Sequence, residues 1–274
     1  MKLPLSLRIY RRALALTSYV LPAYAGTISA KRFLTPIRHQ RAKWEKKILA
    51  KGEEKILSAQ IKSWHWGSGP SILLVHGWDG RGSQLGLFVA PLVDAGYHVI
   101  AIDGPAHGDS PGERTNLREF AQKMLAIQHE LGELHAVIAH SFGGAVTIFA
   151  AEQGLNTKKI VLISSPYDLQ AIFDRFASFM LLSPRSKHHF QNFVEKEAQL
   201  KVKDAIMHDL IARIPQSIMA IHDQNDQEIP CHDALESTKN LSHVNLIITK
   251  GLGHQRILKS ARVINSVIHF LETQ

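Results

Sequence analysis

From about residue 54 onward the chain alternates short apolar runs with stretches of helical periodicity, and this alternation limits the fold more tightly than any single residue does. The runs at Ser71–Val75, His98–Ile102, Leu134–Ala139, Lys159–Ile163, Ser217–His222 and Val244–Thr249 are short and rich in Val, Ile and Leu. Near-continuous apolar runs belong to strands buried on both faces, as in a parallel sheet covered by helices on each side. Helical patterns fall between them over 83–95, 115–132, 142–153 and 256–271, and Lys55–Trp66 reads as a strand pair or one long strand. The class is therefore α/β, with a mostly parallel central sheet and helices on both faces. Residues 168–213 are helical in pattern without a convincing strand and read as a small helical cap inserted into that core. The expected division is a basic helical arm over 1–50, a core over 51–167 and 214–274, and the cap.

Composition excludes several alternatives. At 274 residues, 45 % hydrophobic and 20 % charged, the chain is neither disordered nor fibrous. Its single cysteine, Cys231, rules out an internal disulfide framework and a thiolate metal site. Sixteen histidines are many, but none form the H-E-x-x-H helix motif, so neither a metal nor a cofactor is expected.

The segment Ala139-His140-Ser141-Phe142-Gly143, followed by Gly144, sits where an apolar run ends and a helix begins. A sharp strand-to-helix turn exposes a serine hydroxyl, and it needs small neighbours because the two backbones approach closely. A serine nucleophile needs a base, and the base needs an orienting acid. Asp226 follows the penultimate strand and His254 follows the last one, each just past a strand's carboxyl end, where an open α/β sheet places its site. Taken singly, each has a plain alternative: Ser141 in an ordinary turn, Asp226 capping a turn, His254 on a solvated loop. Three such positions at three strand ends argue for a constellation.

These segments, with His76-Gly77-Trp78 after one buried strand and Asp103-Gly104-Pro105-Ala106-His107-Gly108-Asp109-Ser110 after the next, resemble the α/β-hydrolase fold superfamily over roughly residues 55–272. The order Ser, Asp, His agrees with that resemblance. It implies Ser141 as nucleophile, His254 as base, Asp226 as orienting acid, and the backbone N–H groups of Trp78 and Phe142 as the oxyanion hole. The chain departs from the family pattern at Ala139, Ala106 and Asp223, none of which removes a catalytic atom. The implied activity is serine hydrolysis of a small-molecule acyl substrate, most simply a carboxylic ester with a small or medium apolar acyl group. Peptidase, thioesterase and carbon–carbon bond hydrolase are variants, and a non-catalytic lipid-surface protein is the competing class. An Asp in place of Ser141 would instead mark dehalogenase or epoxide chemistry.

Other residues invite assignment. Asp168, after the Ile163 strand, is the alternative acid position. Asp103 and His107 read as structuring their own loop, because Asp-Gly-Pro is a turn signal. His140 reads as a space-filling or substrate-contacting group, and His188-His189 as cap residues without ligand partners. Asp79-Gly80-Arg81-Gly82 reads as a solvated loop, with binding of an anionic substrate group as its functional alternative.

The net charge of +8 is concentrated at one end: eleven Lys or Arg against Glu45 give residues 1–50 a charge of +10, and the rest of the chain carries −2. The body is too nearly neutral for a nucleic-acid partner. The first helix groups Arg8, Arg11 and Arg12 on one face, opposite Ile9, Tyr10, Leu14, Leu16 and Val20. Three readings stand: a helix packed on the domain, a helix resting on an anionic membrane, and a cleaved signal over about 1–25 with Ala23-Tyr24-Ala25 as its site. The first two fit a cytoplasmic protein, membrane-associated in the second case, and the third fits an exported one.

Overall fold

The computed structural model describes residues 4–273. Among the described residues eight strands form one sheet: β1 (Glu53–Leu57), β2 (Ile61–Trp66), β3 (Ser71–Val75), β4 (His98–Asp103), β5 (Leu134–His140), β6 (Thr157–Ile163), β7 (Ser217–Asp223) and β8 (Val244–Thr249). Their order is β1-β2-β4-β3-β5-β6-β7-β8. The β1–β2 and β2–β4 pairs are antiparallel, and every other pair is parallel. After β3 the chain moves to β4 on one side and then returns to β5 on the other. The carboxyl ends of β3 and β5 therefore flank the point where the winding reverses, the usual crevice for a site in such sheets.

Among the described residues twelve α-helices accompany the sheet: α1 (Leu5–Val20), α2 (Pro22–Phe33), α3 (Lys43–Leu49), α4 (Val89–Asp94), α5 (Leu117–Leu131), α6 (Phe142–Glu152), α7 (Leu169–Phe179), α8 (Pro184–Ala198), α9 (Met207–Arg213), α10 (Cys231–Thr238), α11 (Gly253–Arg256) and α12 (Ala261–Glu272). Side chains alternate across a strand, so β3 sends Leu73 and Val75 into one core and Ile72 and Leu74 into the other. The first core is closed by α5, α6 and α9 through Phe120, Met124, Val146 and Ile211. The second is closed by α4 and α12 through Leu92, Ile264 and Val267. Burial on both faces is why these strands read as continuous apolar runs.

Two helical stretches differ from their sequence patterns. The pattern over 83–95 begins as a 3₁₀ segment, Gly82–Phe88, and turns α-helical only at Val89. Gly86 lies against Ile48 of α3, where an added Cβ would come within 3.0 Å, and glycine is a poor helix former. The closing pattern over 256–271 is broken at Ser260, whose hydroxyl caps α12 at the Val263 N–H, and α11 starts earlier, at Gly253. His254 therefore sits on a short helix and not on an open loop.

The arm is stitched to the domain. The small face of α2, Ala25, Gly26, Ser29 and Ala30, is buried. Gly26 lies so near α8 that a Cβ there would stand 2.6 Å from the His189 Cβ. Glu45 pairs with Arg81 at 2.6 Å and accepts from the Ser83 hydroxyl at 2.8 Å. Arg41 pairs with the fully buried Asp103, and Asp79 accepts from the Ile37 N–H at 2.6 Å. The loop Asp79–Gly82 is thus an anchorage for the arm, not a free anion site. Removing one member of a buried ion pair typically costs about 3–5 kcal/mol. The helical wheel of α1 also needs correction. Its covered residues are Leu14 and Ser18, and Arg11 turns inward to the Phe179 carbonyl and ring, leaving Arg8 and Arg12 among the exposed aliphatic side chains.

Candidate active site

Ser141 occupies the turn between β5 and α6 with φ 51° and ψ −127°, a backbone conformation that costs a non-glycine residue of order 1–3 kcal/mol. Packing holds it there. The Ser141 N–H donates to the Ile163 carbonyl at 2.9 Å. At Gly143 an added Cβ would lie 2.5 Å from the His76 carbonyl oxygen, and at Gly77 it would lie 2.8 Å from the Ser141 Cβ. Ala139 is tolerated because it lies within the β5 ladder, opposite Val75 and Leu162, one residue before the turn tightens.

The acid and the imidazole meet directly. His254 Nδ1 lies 2.8 Å from Asp226 Oδ2, and both side chains are almost fully buried. Asp226 Oδ1 accepts from the Glu228 and Ile229 N–H groups, each at 2.9 Å. Burial alone would raise this carboxyl, but hydrogen bonds from His222, His254 and the Ile229 N–H outweigh it and hold the group far below the usual range. It stays ionised. Asp168 instead caps α7, accepting from the Ala171 N–H at 2.9 Å.

The Ser141 hydroxyl makes no hydrogen bond to His254 in this structure, although both residues line the same cavity. His254 Nε2 lies 3.7 Å from the carboxylate of Glu228, an exposed residue of the rim. A base must reach hydrogen-bond distance in the complex with its substrate, and the free geometry can be looser. The Trp78 and Phe142 N–H groups find no backbone acceptor among the described residues, and Phe142 opens α6, where the helix dipole favours negative charge.

The supporting contacts of three residues, two of which the sequence marks for other reasons, escaped sequence reasoning. Asp223 accepts from the Asn225, Leu252 and Gly253 N–H groups and the Thr249 hydroxyl, tying the Asp226 loop to the start of α11, the short helix that carries His254. His140 Nε2 is 3.0 Å from the His254 carbonyl, fixing the backbone at His254. His222 Nε2 lies 3.0 Å from the Ile229 carbonyl and 3.5 Å from Asp226 Oδ2. The one available signal was their position beside the site residues; nothing local marks a partner 114 residues away. Asp103 and His107 structure their own loop, Asp103 through the Gly82 and Asp109 N–H groups and His107 through the Pro105 carbonyl.

The cavity above Ser141 has a volume of about 550 Å³ and is walled largely by Phe33, Phe142, Phe173, Phe176, Met180 and Ile229. Its wall joins the cap helix α7 to the arm, whose Phe33 ring lies 4.9 Å from Phe176 and 6.3 Å from Trp78. Among the described residues no group of three or more His, Cys, Asp or Glu is arranged to hold a metal ion.

Burial also sets an acid limit. It pushes the His107 imidazole down to about 4 and that of His140 down to about 3. In the unfolded chain both protonate near 6.5, so below that pH the unfolded state binds protons that the native state refuses. Each group should then remove roughly 1.4 kcal/mol of stability per pH unit between about 6.5 and its own lowered value. Urea midpoints are expected to fall steadily from pH 7 to about pH 5. A midpoint unchanged over that interval would contradict the assignment of neutral buried imidazoles.

Comparison with known proteins places this geometry in context. Residues 72–258 match the model of the alpha/beta hydrolase family. The chain is 38 % identical over 109 residues to a non-heme haloperoxidase of Rhodococcus erythropolis, covering 36 % of this chain and 38 % of that one. It is 36 % identical over 99 residues to the dihydrolipoyllysine-residue acetyltransferase component of the acetoin cleaving system of Pseudomonas putida, covering 35 % of this chain and 26 % of that one. It thus spans well under half the length of these relatives. In fold it is similar to an esterase of Pyrococcus furiosus, with TM-score 0.65, 20 % identity, and coverage of 87 % of this chain and 96 % of that one.

Proposed function

We propose that this chain, which belongs to the alpha/beta hydrolase family, is a serine hydrolase that cleaves carboxylic esters with a small or medium apolar acyl group. The observation that carries the reading is the strained Ser141 turn opening into the same apolar cavity as His254, whose ring is paired with Asp226. Ser141 Oγ attacks the acyl carbon while its proton passes to His254 Nε2. Asp226 keeps the ring proton on Nδ1 and stabilises the imidazolium. The negative charge gathered on the carbonyl oxygen is taken by the Trp78 and Phe142 N–H groups. One such donor is worth about 3 kcal/mol in a comparable site. Collapse breaks the ester bond, and His254 returns its proton to the leaving alcohol. Water then gives a proton to His254 and attacks the acyl-enzyme, and the second collapse releases the acid and restores the Ser141 hydroxyl.

The apolar wall supports an acyl chain without charge. Burying one methylene contributes about 0.8 kcal/mol, so kcat/KM on p-nitrophenyl esters is expected to rise roughly fourfold per added CH₂ until the cavity is filled, then fall. A profile flat in chain length would overturn the apolar acyl pocket. Labelling by a fluorophosphonate probe at Ser141 tests the class itself, and an unlabelled protein would overturn it.

A further inference from the structure

The outer face of α1 is unlike a helix finished by packing. Leu5, Ile9, Leu16, Tyr19 and Val20 follow one another at intervals of one, three, four or seven residues along one stripe, and each is 60–77 % exposed. The same stripe carries Arg8 and Arg12, neither of which forms an ion pair among the described residues. Leu21 and Tyr24 continue the exposed apolar surface onto the start of α2, and Phe179 and Leu181 of the cap are also exposed. The opposite side of α1 is fixed: Leu14 is buried, the Ser18 carbonyl accepts from the Ser183 and Ser186 hydroxyls, and Arg11 is held at Phe179. The apolar stripe is therefore presented on a rigid mount.

Charge decides what such a surface fits. Residues 1–33 contain six Lys or Arg and no Asp or Glu. Interleaved aliphatic, tyrosyl and arginyl side chains suit the boundary between lipid headgroups and acyl chains, where the apolar groups insert and the cations meet phosphate. No helix among the described residues is long and apolar enough to cross a membrane, so contact would be along the surface. The inner side of α1 is part of the cavity wall, since Leu7 and Tyr10 line it together with Phe179.

We infer that α1 docks this protein on an anionic phospholipid surface through Leu5, Ile9, Leu16 and Val20, with Arg8 and Arg12 at the headgroups and the Ser141 cavity, which α1 helps to wall, behind the docked helix. Docking does not depend on the ester-hydrolase reading; only the corollary, that the substrate reaches the cavity from the lipid phase, rests on it.

Sedimentation of the full chain with phosphatidylglycerol–phosphatidylcholine vesicles tests docking without any enzymatic readout. Binding is expected at low salt, weakening as the Debye length shrinks from about 30 Å at 0.01 M to about 3 Å at 1 M, and little binding is expected to phosphatidylcholine alone. The double variant Arg8→Gln/Arg12→Gln should bind roughly 30-fold more weakly, at about fivefold per basic group near the surface. Leu5→Ser/Leu16→Ser/Val20→Ser should lose retention on the vesicles. All five side chains are exposed and outside the cavity lining, so hydrolysis of a soluble short-chain ester should be unchanged and reports that the fold is intact. Docking would be overturned by no binding to anionic vesicles at low salt, by equal binding to both vesicle types, or by variants that bind as the parent does. Self-association through this stripe, abolished by the same serine substitutions in the absence of vesicles, would overturn it in favour of a second copy of the chain. For the corollary, Arg8→Gln/Arg12→Gln should slow hydrolysis of an ester held in anionic vesicles while sparing the soluble ester. Binding with equal rates on the vesicle-held ester would overturn the corollary alone.

Discussion

Ser141→Ala is expected to lower kcat for ester hydrolysis by about 10⁶-fold, the loss that follows removal of the nucleophile where the groups of a triad act as a unit. A residual of roughly 10³-fold over water should survive, because the oxyanion donors and the apolar cavity remain. The fold should be unaffected for reasons visible at the site. The Ser141 hydroxyl has no hydrogen bond to lose, so its removal leaves no unsatisfied partner, and Ala bears the φ of 51° as Ser does. The turn is held by the Ser141 N–H on the Ile163 carbonyl and by the contacts at Gly77 and Gly143; at Gly77 the nearest atom is the Ser141 Cβ, which Ala keeps. Stability should therefore shift by no more than about 0.5 kcal/mol. Unchanged circular dichroism and melting with activity still near the parent's would remove Ser141 as nucleophile. Unchanged folding with a burst of covalent labelling abolished would keep it.

What the sequence made legible depends on how local its cause is. The parallel strands β3 to β7 are buried on both faces, so each is written as an uninterrupted apolar run between turn residues, and their positions follow from one short segment at a time. The Ser141 turn is equally local: the close approach of strand and helix demands glycine two residues on, and Gly143 is there. Other features are decided by partners far along the chain. Glu45 meets Arg81 across 36 residues and Arg41 meets Asp103 across 62, and no spacing rule connects such pairs. The Asp79–Gly82 loop consequently looks solvated in sequence although it anchors the arm. The arm shows the same limit. A helical wheel ranks residues by polarity but does not say which side a neighbour covers, and here the cap claims Arg11 and Ser18 while leaving Ile9, Leu16 and Val20 outside. Asp223 stood out only as a departure from a family pattern, because its task is to hold backbone N–H groups 29 and 30 residues later.

The choice between Asp226 and Asp168 as the acid turns on the same distinction, and it yields the second large effect. Asp226→Asn should reduce kcat roughly 10⁴-fold, the cost of placing the imidazole in the wrong tautomer. Asp226 Oδ1 is committed to the Glu228 and Ile229 N–H groups, so the Asn side-chain oxygen keeps that place and its NH₂ takes the position of Oδ2, 2.8 Å from His254 Nδ1. An NH₂ there donates, Nδ1 must accept, and the ring proton moves to Nε2, where the proton of Ser141 should arrive. The backbone hydrogen bonds of the acid loop survive, so the loss should appear in kcat with little change in melting temperature. Asp168→Asn replaces one good helix cap by another, since the Asn oxygen can still accept from the Ala171 N–H. Its kcat should remain within about twofold of the parent, because less than 0.5 kcal/mol is at stake away from the reacting groups. If Asp168→Asn proved the more damaging of the two, the imidazole of His254 would have to be oriented from the β6 end of the site. The Asp226–His254 hydrogen bond would then be a structural contact of the last loop, with no part in moving the proton.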